Sequence, residues 1–129
     1  MKIPPGTFVC AEASQLQQVI VNLLGNALDA VRNEENRTIT LEAVDSEANG
    51  RVLFSIADSG TGIAHEVLHH LFDPFITTKP RGHGQGLGLA ITSRIVEAFG
   101  AKISATNRDE GGARFNIDFA SAKGVVDGR

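Results

Sequence analysis

Between Gln15 and Arg32 the apolar residues Leu16, Val19, Ile20, Leu23, Leu24, Ala27, Leu28 and Val31 recur every three or four positions. That spacing predicts a long helix with one apolar stripe, because each residue advances about 100° around the axis. Ser14 stands where a capping residue belongs, and the stripe requires a sheet to cover it. A short strand is predicted at Thr7 to Cys10, after the turn-forming Pro4-Pro5-Gly6. Thr38 to Val44 and Arg51 to Ala57 are strand-like, and Asn49-Gly50 between them is a hairpin turn signal, so the two should pair antiparallel. Leu87 to Phe99 is predicted as a second helix, with Ile91, Ile95 and Phe99 four apart and Gly100 as its C-terminal stop. Lys102 to Thr106 and Ala113 to Phe119 form a last strand pair around Asp109-Glu110-Gly111-Gly112, and no period runs through the tail from Ala120. The expected fold class is α+β: a two-layer α/β sandwich with helices on one face of a mostly antiparallel sheet.

With 129 residues and 42% hydrophobic content, the chain holds one core. We therefore expect a single domain over 1–129, with its core at about 7–119 and a tail at 120–129. A net charge of −3 provides no basic field for nucleic acid. Cys10 is the sole cysteine, which excludes a disulfide framework or cysteine metal site and fits a reducing compartment, the cytoplasm. Neither a secretory signature nor an apolar run of roughly 20 residues is present, so no membrane contact is expected of this domain.

Chemistry concentrates in four strings: Asn22-Leu23-Leu24-Gly25-Asn26-Ala27, Asp58-Ser59-Gly60-Thr61-Gly62, Phe72-Asp73-Pro74-Phe75 with Thr77-Thr78-Lys79, and Gly84-Gln85-Gly86-Leu87-Gly88-Leu89. On the long helix Asn22 and Asn26 lie about 40° apart, with Gln18 and Asp29 on the same polar side. A solvated face is the plain reading, but surface faces favour Glu, Lys and Arg, and mid-helix Asn sacrifices propensity without adding charge. Asn26 could instead give one neutral oxygen to Mg²⁺ whose other ligands are phosphate and water. Along Val52, Phe54, Ile56 and Asp58 side chains alternate, so Asp58 inherits the buried side and needs a donor, for which the amino group of adenine is suitable. Gly60 and Gly62 would let the backbone approach a flat base, although an ordinary turn would use them too. From Phe75 to Leu87 the glycines predict a mobile lid, and the amides opening the next helix form an anion site that Lys79 and Arg81 could reinforce. Phe72 is expected to pack in the core.

Other readings are weaker. The glycines match neither a dinucleotide fingerprint nor a phosphate loop, because the third glycine and the glycine-lysine pair are missing. His65-Glu66-Val67-Leu68-His69 matches the zinc-protease pattern, but Gly62 and Pro74 leave it one or two turns of helix and no third ligand is signalled. A zinc metallopeptidase using His65, Glu66 and His69 is therefore a remote alternative.

Taken together, the four strings resemble the asparagine, first glycine, phenylalanine and second glycine boxes of the histidine kinase and gyrase-type ATPase superfamily, over about Glu12 to Phe119. Phe72 to Lys79, Gly86 to Ile91 and Gly111-Gly112-Ala113-Arg114-Phe115 are most similar to the nitrogen-regulation and C4-dicarboxylate sensor kinases. The resemblance implies a Bergerat-type ATP-binding fold with ATP and Mg²⁺ as cofactors. It assigns Mg²⁺ to Asn26 and the adenine amino group to Asp58. The base and phosphate sites go to Gly60, Gly62, Gly84, Gly86 and Gly88, with Asn22, Asp29, Ile63, Phe75, Thr77, Thr78, Lys79, Leu87 and Leu89 as further ATP contacts. Gyrase-type ATPases place a water-activating glutamate where Asn22 stands, and Asn is no general base, so hydrolysis should be poor. A kinase needs no such water, because its nucleophile is a histidine on a partner domain. None of His65, His69, His70 or His83 sits in a long helical hairpin, so the chain is expected to be a piece of a larger, sometimes inner-membrane-bound kinase that cannot autophosphorylate alone. Its implied partners are a phosphoacceptor-histidine dimerisation domain and a response regulator. Alternatives are a nucleotide-binding regulatory module and an anti-sigma-type serine kinase.

Overall fold

The computed structural model describes residues 12–46, 50–73 and 85–120. Helix α1 (Ala13–Val31) begins earlier than expected because Glu12, not Ser14, caps it. The Glu12 carboxylate accepts the backbone N–H groups of Ser14 (3.2 Å) and Gln15 (3.0 Å), and the Ser14 hydroxyl donates to it as well. An anion here also suits the positive end of the helix dipole. Val19, Leu23, Ala27 and Val31 are buried, and Leu16, Ile20 and Leu24 pack at their edge. Leu28, expected in the stripe, is 58% exposed. Nine residues beyond Val19, it points about 180° away from that residue.

Strands β1 (Ile39–Ser46) and β2 (Arg51–Asp58) pair antiparallel, from Ile39 opposite Asp58 to Ser46 opposite Arg51. A one-turn helix α2 (His65–Leu68) and helix α3 (Gln85–Ala98) precede β3 (Lys102–Asn107) and β4 (Ala113–Ala120). Among the described residues the sheet order is β1-β2-β4-β3, antiparallel throughout. β4 therefore lies beside β2, and the start of one meets the end of the other, with Ala57 opposite Arg114.

Val52, Phe54 and Ile56 of β2 and Ala113, Phe115, Ile117 and Phe119 of β4 face the helices and form one core with α1, Leu71, Leu89 and Val96. Phe72 meets Phe115 edge-on with ring centres 6.2 Å apart, which fits its expected packing role. On α3 the buried line runs through Leu89, Thr92 and Val96. Ile91 stands about 100° off that line and is 46% exposed, unlike Ile95 and Phe99, which pack as expected. After α3, Gly100 takes φ 77°, its N–H bonds Glu97 O, and Ala101 N–H bonds Val96 O, closing the helix as a Schellman motif. No helix among the described residues is long and apolar enough to cross a membrane. The strand expected at Thr7 to Cys10, most of the expected lid and the tail beyond Ala120 lie outside the described residues.

Candidate functional site

Strand alternation delivers Asp58 to the inner face at the end of β2, where it is 1% exposed. Its Oδ1 accepts the backbone N–H groups of Gly60 (2.9 Å) and Ala113 (3.2 Å). Among the described residues both bonds land on Oδ1, which leaves Oδ2 for another donor. A buried carboxylate held by main-chain amides is fixed in direction and remains an acceptor.

The loop after Asp58 lies against α1. A β-carbon on Gly60 would overlap the carbonyl of Ala30, so only glycine fits there. Sequence reasoning expected Gly60 to make room for a base; the contact that demands glycine is with the helix. Ala30 lies one turn beyond Asn26, about 6 Å along the axis and about 40° around it. The Asp58 end of β2 and the asparagine face of α1 are thus brought to one place. Asn26 is only 9% exposed, so at that position the face is not a solvated one, although Gln18 at its start is exposed. Asn22 donates through Nδ2 to Thr92 Oγ1 (3.0 Å) and accepts from Gln18 Nε2 (2.9 Å), tying α1 to α3. Asp29 forms an ion pair with Arg32 (2.6 Å) at the helix end.

Gly86, Leu87 and Gly88 fall in the first turn of α3, whose leading backbone N–H groups have no partner within the helix. Leu89 buries its side chain in the core, so a ligand contact there would use the main chain. Phe75, Thr77, Thr78, Lys79 and Gly84 lie outside the described residues. Gly62 has φ 81°, and Ile63 packs its side chain at the edge of the core. His65, Glu66 and His69 sit on or beside the one-turn α2, with the two histidine rings edge-to-face at 5.1 Å. His70 Nδ1 lies 3.1 Å from Asp73 Oδ2. Among the described residues no three His, Cys, Asp or Glu side chains are grouped to hold a metal.

Several residues of the site escaped sequence reasoning. Asn107 holds both main-chain groups of Ile63: Oδ1 accepts its N–H (2.7 Å) and Nδ2 donates to its carbonyl (2.8 Å). Arg108 donates to the main-chain oxygen of Asp58 (2.7 Å) and pairs with Glu110 (3.2 Å). Glu110's own backbone amide, then Arg108 by hydrogen bond and charge, hold the Glu110 carboxyl below its usual value. Gly112 passes so close that a β-carbon would overlap the Asp58 carbonyl. Thr92 is fully buried beneath Asn22. The signals available were a lone Thr within an apolar helical stripe, and an Asn at a strand end whose amide can donate and accept at once.

A model of the histidine kinase-, DNA gyrase B- and HSP90-like ATPases matches residues 11–123. The chain belongs to that family. It is 41% identical over 106 residues to the two-component sensor PprA of Pseudomonas aeruginosa, covering 80% of this chain and 12% of that protein. The C4-dicarboxylate transport sensor protein DctB of Rhizobium meliloti is 39% identical over 108 residues, covering 84% of this chain and 17% of that one. The chain thus spans less than a fifth of either curated relative. Among solved structures, the catalytic domain of histidine kinase ThkA superposes with a TM-score of 0.71 at 33% identity, covering 85% of this chain and 68% of that one. The expectation of an ATP-binding catalytic domain of the sensor histidine kinase kind is met, and the fold is the α+β sandwich expected for it.

Proposed function

We propose that this domain binds Mg-ATP between Asp58 and the start of α3 and, within a longer protein, donates the γ-phosphate to a histidine on a dimerisation domain. A response regulator aspartate then receives the group. The observation that carries the reading is the orientation of Asp58: two main-chain amides hold Oδ1, which leaves Oδ2 to accept the amino group of adenine. Asn26, one turn from the helix residue that Gly60 touches, is the residue we assign to the phosphate end. Its single neutral amide oxygen fits Mg²⁺, an ion that keeps water and phosphate oxygens as its other ligands and supplies charge neutralisation when bound. The first turn of α3 offers the phosphate oxygens the amides that the helix itself leaves without partners.

The chain's own contribution to transfer is orientation. A ring nitrogen of the acceptor histidine uses its lone pair to form the N–P bond as the bond from the γ-phosphorus to the bridging oxygen breaks and ADP leaves, a step governed by alignment and charge stabilisation. Asn22 cannot take a proton from water at neutral pH, and its amide is engaged by Gln18 and Thr92, which favours transfer over hydrolysis.

Titration of the domain with ADP and Mg²⁺ tests the binding reading. Asp58→Ala should weaken binding by about tenfold to a hundredfold, the loss expected for a buried hydrogen bond to a charged group. Asn26→Ala should remove most of the Mg²⁺-dependence of the affinity. Unchanged binding in both variants would defeat the assignment. Labelled ATP mixed with a histidine-bearing dimerisation domain tests transfer: an acid-labile label on the partner is expected. An unlabelled partner would leave a nucleotide-binding regulatory module, and an acid-stable label would indicate a serine kinase.

A further inference from the structure

We infer that Asn107 is a positioning residue for base recognition, fixing from the end of β3 the loop on which the adenine-accepting carboxylate depends. The inference rests on the reading that Asp58 receives the base. The segment from Ser59 to Ala64 belongs to no helix or strand, and beyond Ser59, whose N–H still bonds Thr38 O (3.0 Å), no strand ladder holds it. It is clamped from across the sheet. The Asn107 amide replaces a strand partner for Ile63, taking its N–H at 2.7 Å and giving to its carbonyl at 2.8 Å. A β-carbon at Gly62 would come 2.9 Å from Asn107 Oδ1, so the loop is pressed against the clamp. Arg108 holds the carbonyl of Asp58, and Arg108 N–H to Gly112 O (2.8 Å) closes the turn that brings Ala113 N–H onto Asp58 Oδ1.

Both ends of the Asp58–Ile63 segment are therefore tied to one turn. A side-chain amide serves both main-chain groups of Ile63 through two separate atoms, whereas a carboxylate has no donor and an alkyl group has neither function. If the clamp opens, the segment loses two of its hydrogen bonds and Oδ2 loses its fixed aim. Contacts to the phosphates, assigned to Asn26 and the start of α3, need not change. The effect should fall on the one hydrogen bond that distinguishes adenine from a purine lacking its amino group.

The test compares ADP with purine riboside 5′-diphosphate, the 6-deamino analogue, by calorimetry with Mg²⁺. The wild-type domain should bind ADP about tenfold more tightly, the worth of one well-placed hydrogen bond. Asn107→Ala, and the isosteric Asn107→Asp should the alanine variant fail to fold, should lower ADP affinity about tenfold and leave the analogue within about twofold of wild type. Equal losses for both ligands would mean general loosening and would overturn the inference, as would wild-type discrimination. Asp58→Ala separates this from the parent reading. Discrimination that survives in Asp58→Ala removes the base assignment itself, whereas discrimination lost there but kept in both Asn107 variants removes only the positioning role.

Discussion

The two halves of the site are held by different means. Around Asp58 the fixing groups are mostly main chain: amides from Gly60 and Ala113, and close passes at Gly60 and Gly112 that leave no space for a β-carbon. Along α1 they are side chains, with Gln18, Asn22 and Thr92 in one hydrogen-bonded line between two helices. Main-chain positions are set by the sheet and cannot be changed one residue at a time, while side-chain bridges between helices can yield by a rotamer or a small shift. The base end should therefore be rigid and intolerant, and the helix seam adjustable.

The sharpest way to break that contrast is a pair of adjacent glycines. Gly112 has φ 91° and no space, whereas Gly111 has φ 104° and open surroundings. Gly112→Ala carries backbone strain together with a clash against the Asp58 carbonyl and should cost about 3 kcal/mol or more. Gly111→Ala carries only the strain, about 1–2 kcal/mol. Urea unfolding measures both; equal costs would mean that the base end relaxes as readily as an ordinary turn.

This contrast also decides what could be read from the chain. Periodicity placed α1 and α3, and alternation placed Asp58 on the buried face, because both depend on neighbours a few residues away. The same periodicity wrongly included Leu28 and Ile91, since a stripe has no marked edge until a sheet covers it. Ser14 looked like the cap, but local geometry chose the longer carboxylate of Glu12. The clamps were not legible. Asn107 reaches Ile63 across 44 residues, and the demands on Gly60 and Gly112 come from Ala30 and Asp58, contacts that leave no local period. Gly60 draws notice for the space it might offer a ligand instead of the space the protein itself denies it, and Gly112 only as part of a turn.

On the helix seam the expected effects are smaller. Thr92 is fully buried and accepts from Asn22, so Thr92→Val keeps the shape and removes the acceptor. The cost should be about 1–2 kcal/mol by urea unfolding. Thr92→Ser should retain the hydrogen bond and lose only a methyl contact, about 1 kcal/mol. A double-mutant cycle with Asn22→Ala should return a coupling of about 0.5–1.5 kcal/mol; a larger value would place the seam with the rigid half of the site.

The smallest effect is at the start of α1, far from either clamp. Glu12 is held below its ordinary value of 4.5, first by the Ser14 hydroxyl and then by the amides of Ser14 and Gln15. Its folded value is below its unfolded value, so the stabilisation is complete above the unfolded value and is lost as pH falls through the folded one. Acid should therefore fray the first turn of α1, read as loss of helical chemical shifts at Ala13 to Gln17. Glu12→Gln keeps an oxygen acceptor without the charge and should flatten that pH dependence. A first turn that stays helical in acid would mean that the backbone bond from Leu16 N–H to Glu12 O (2.9 Å), not the carboxylate, holds the helix start.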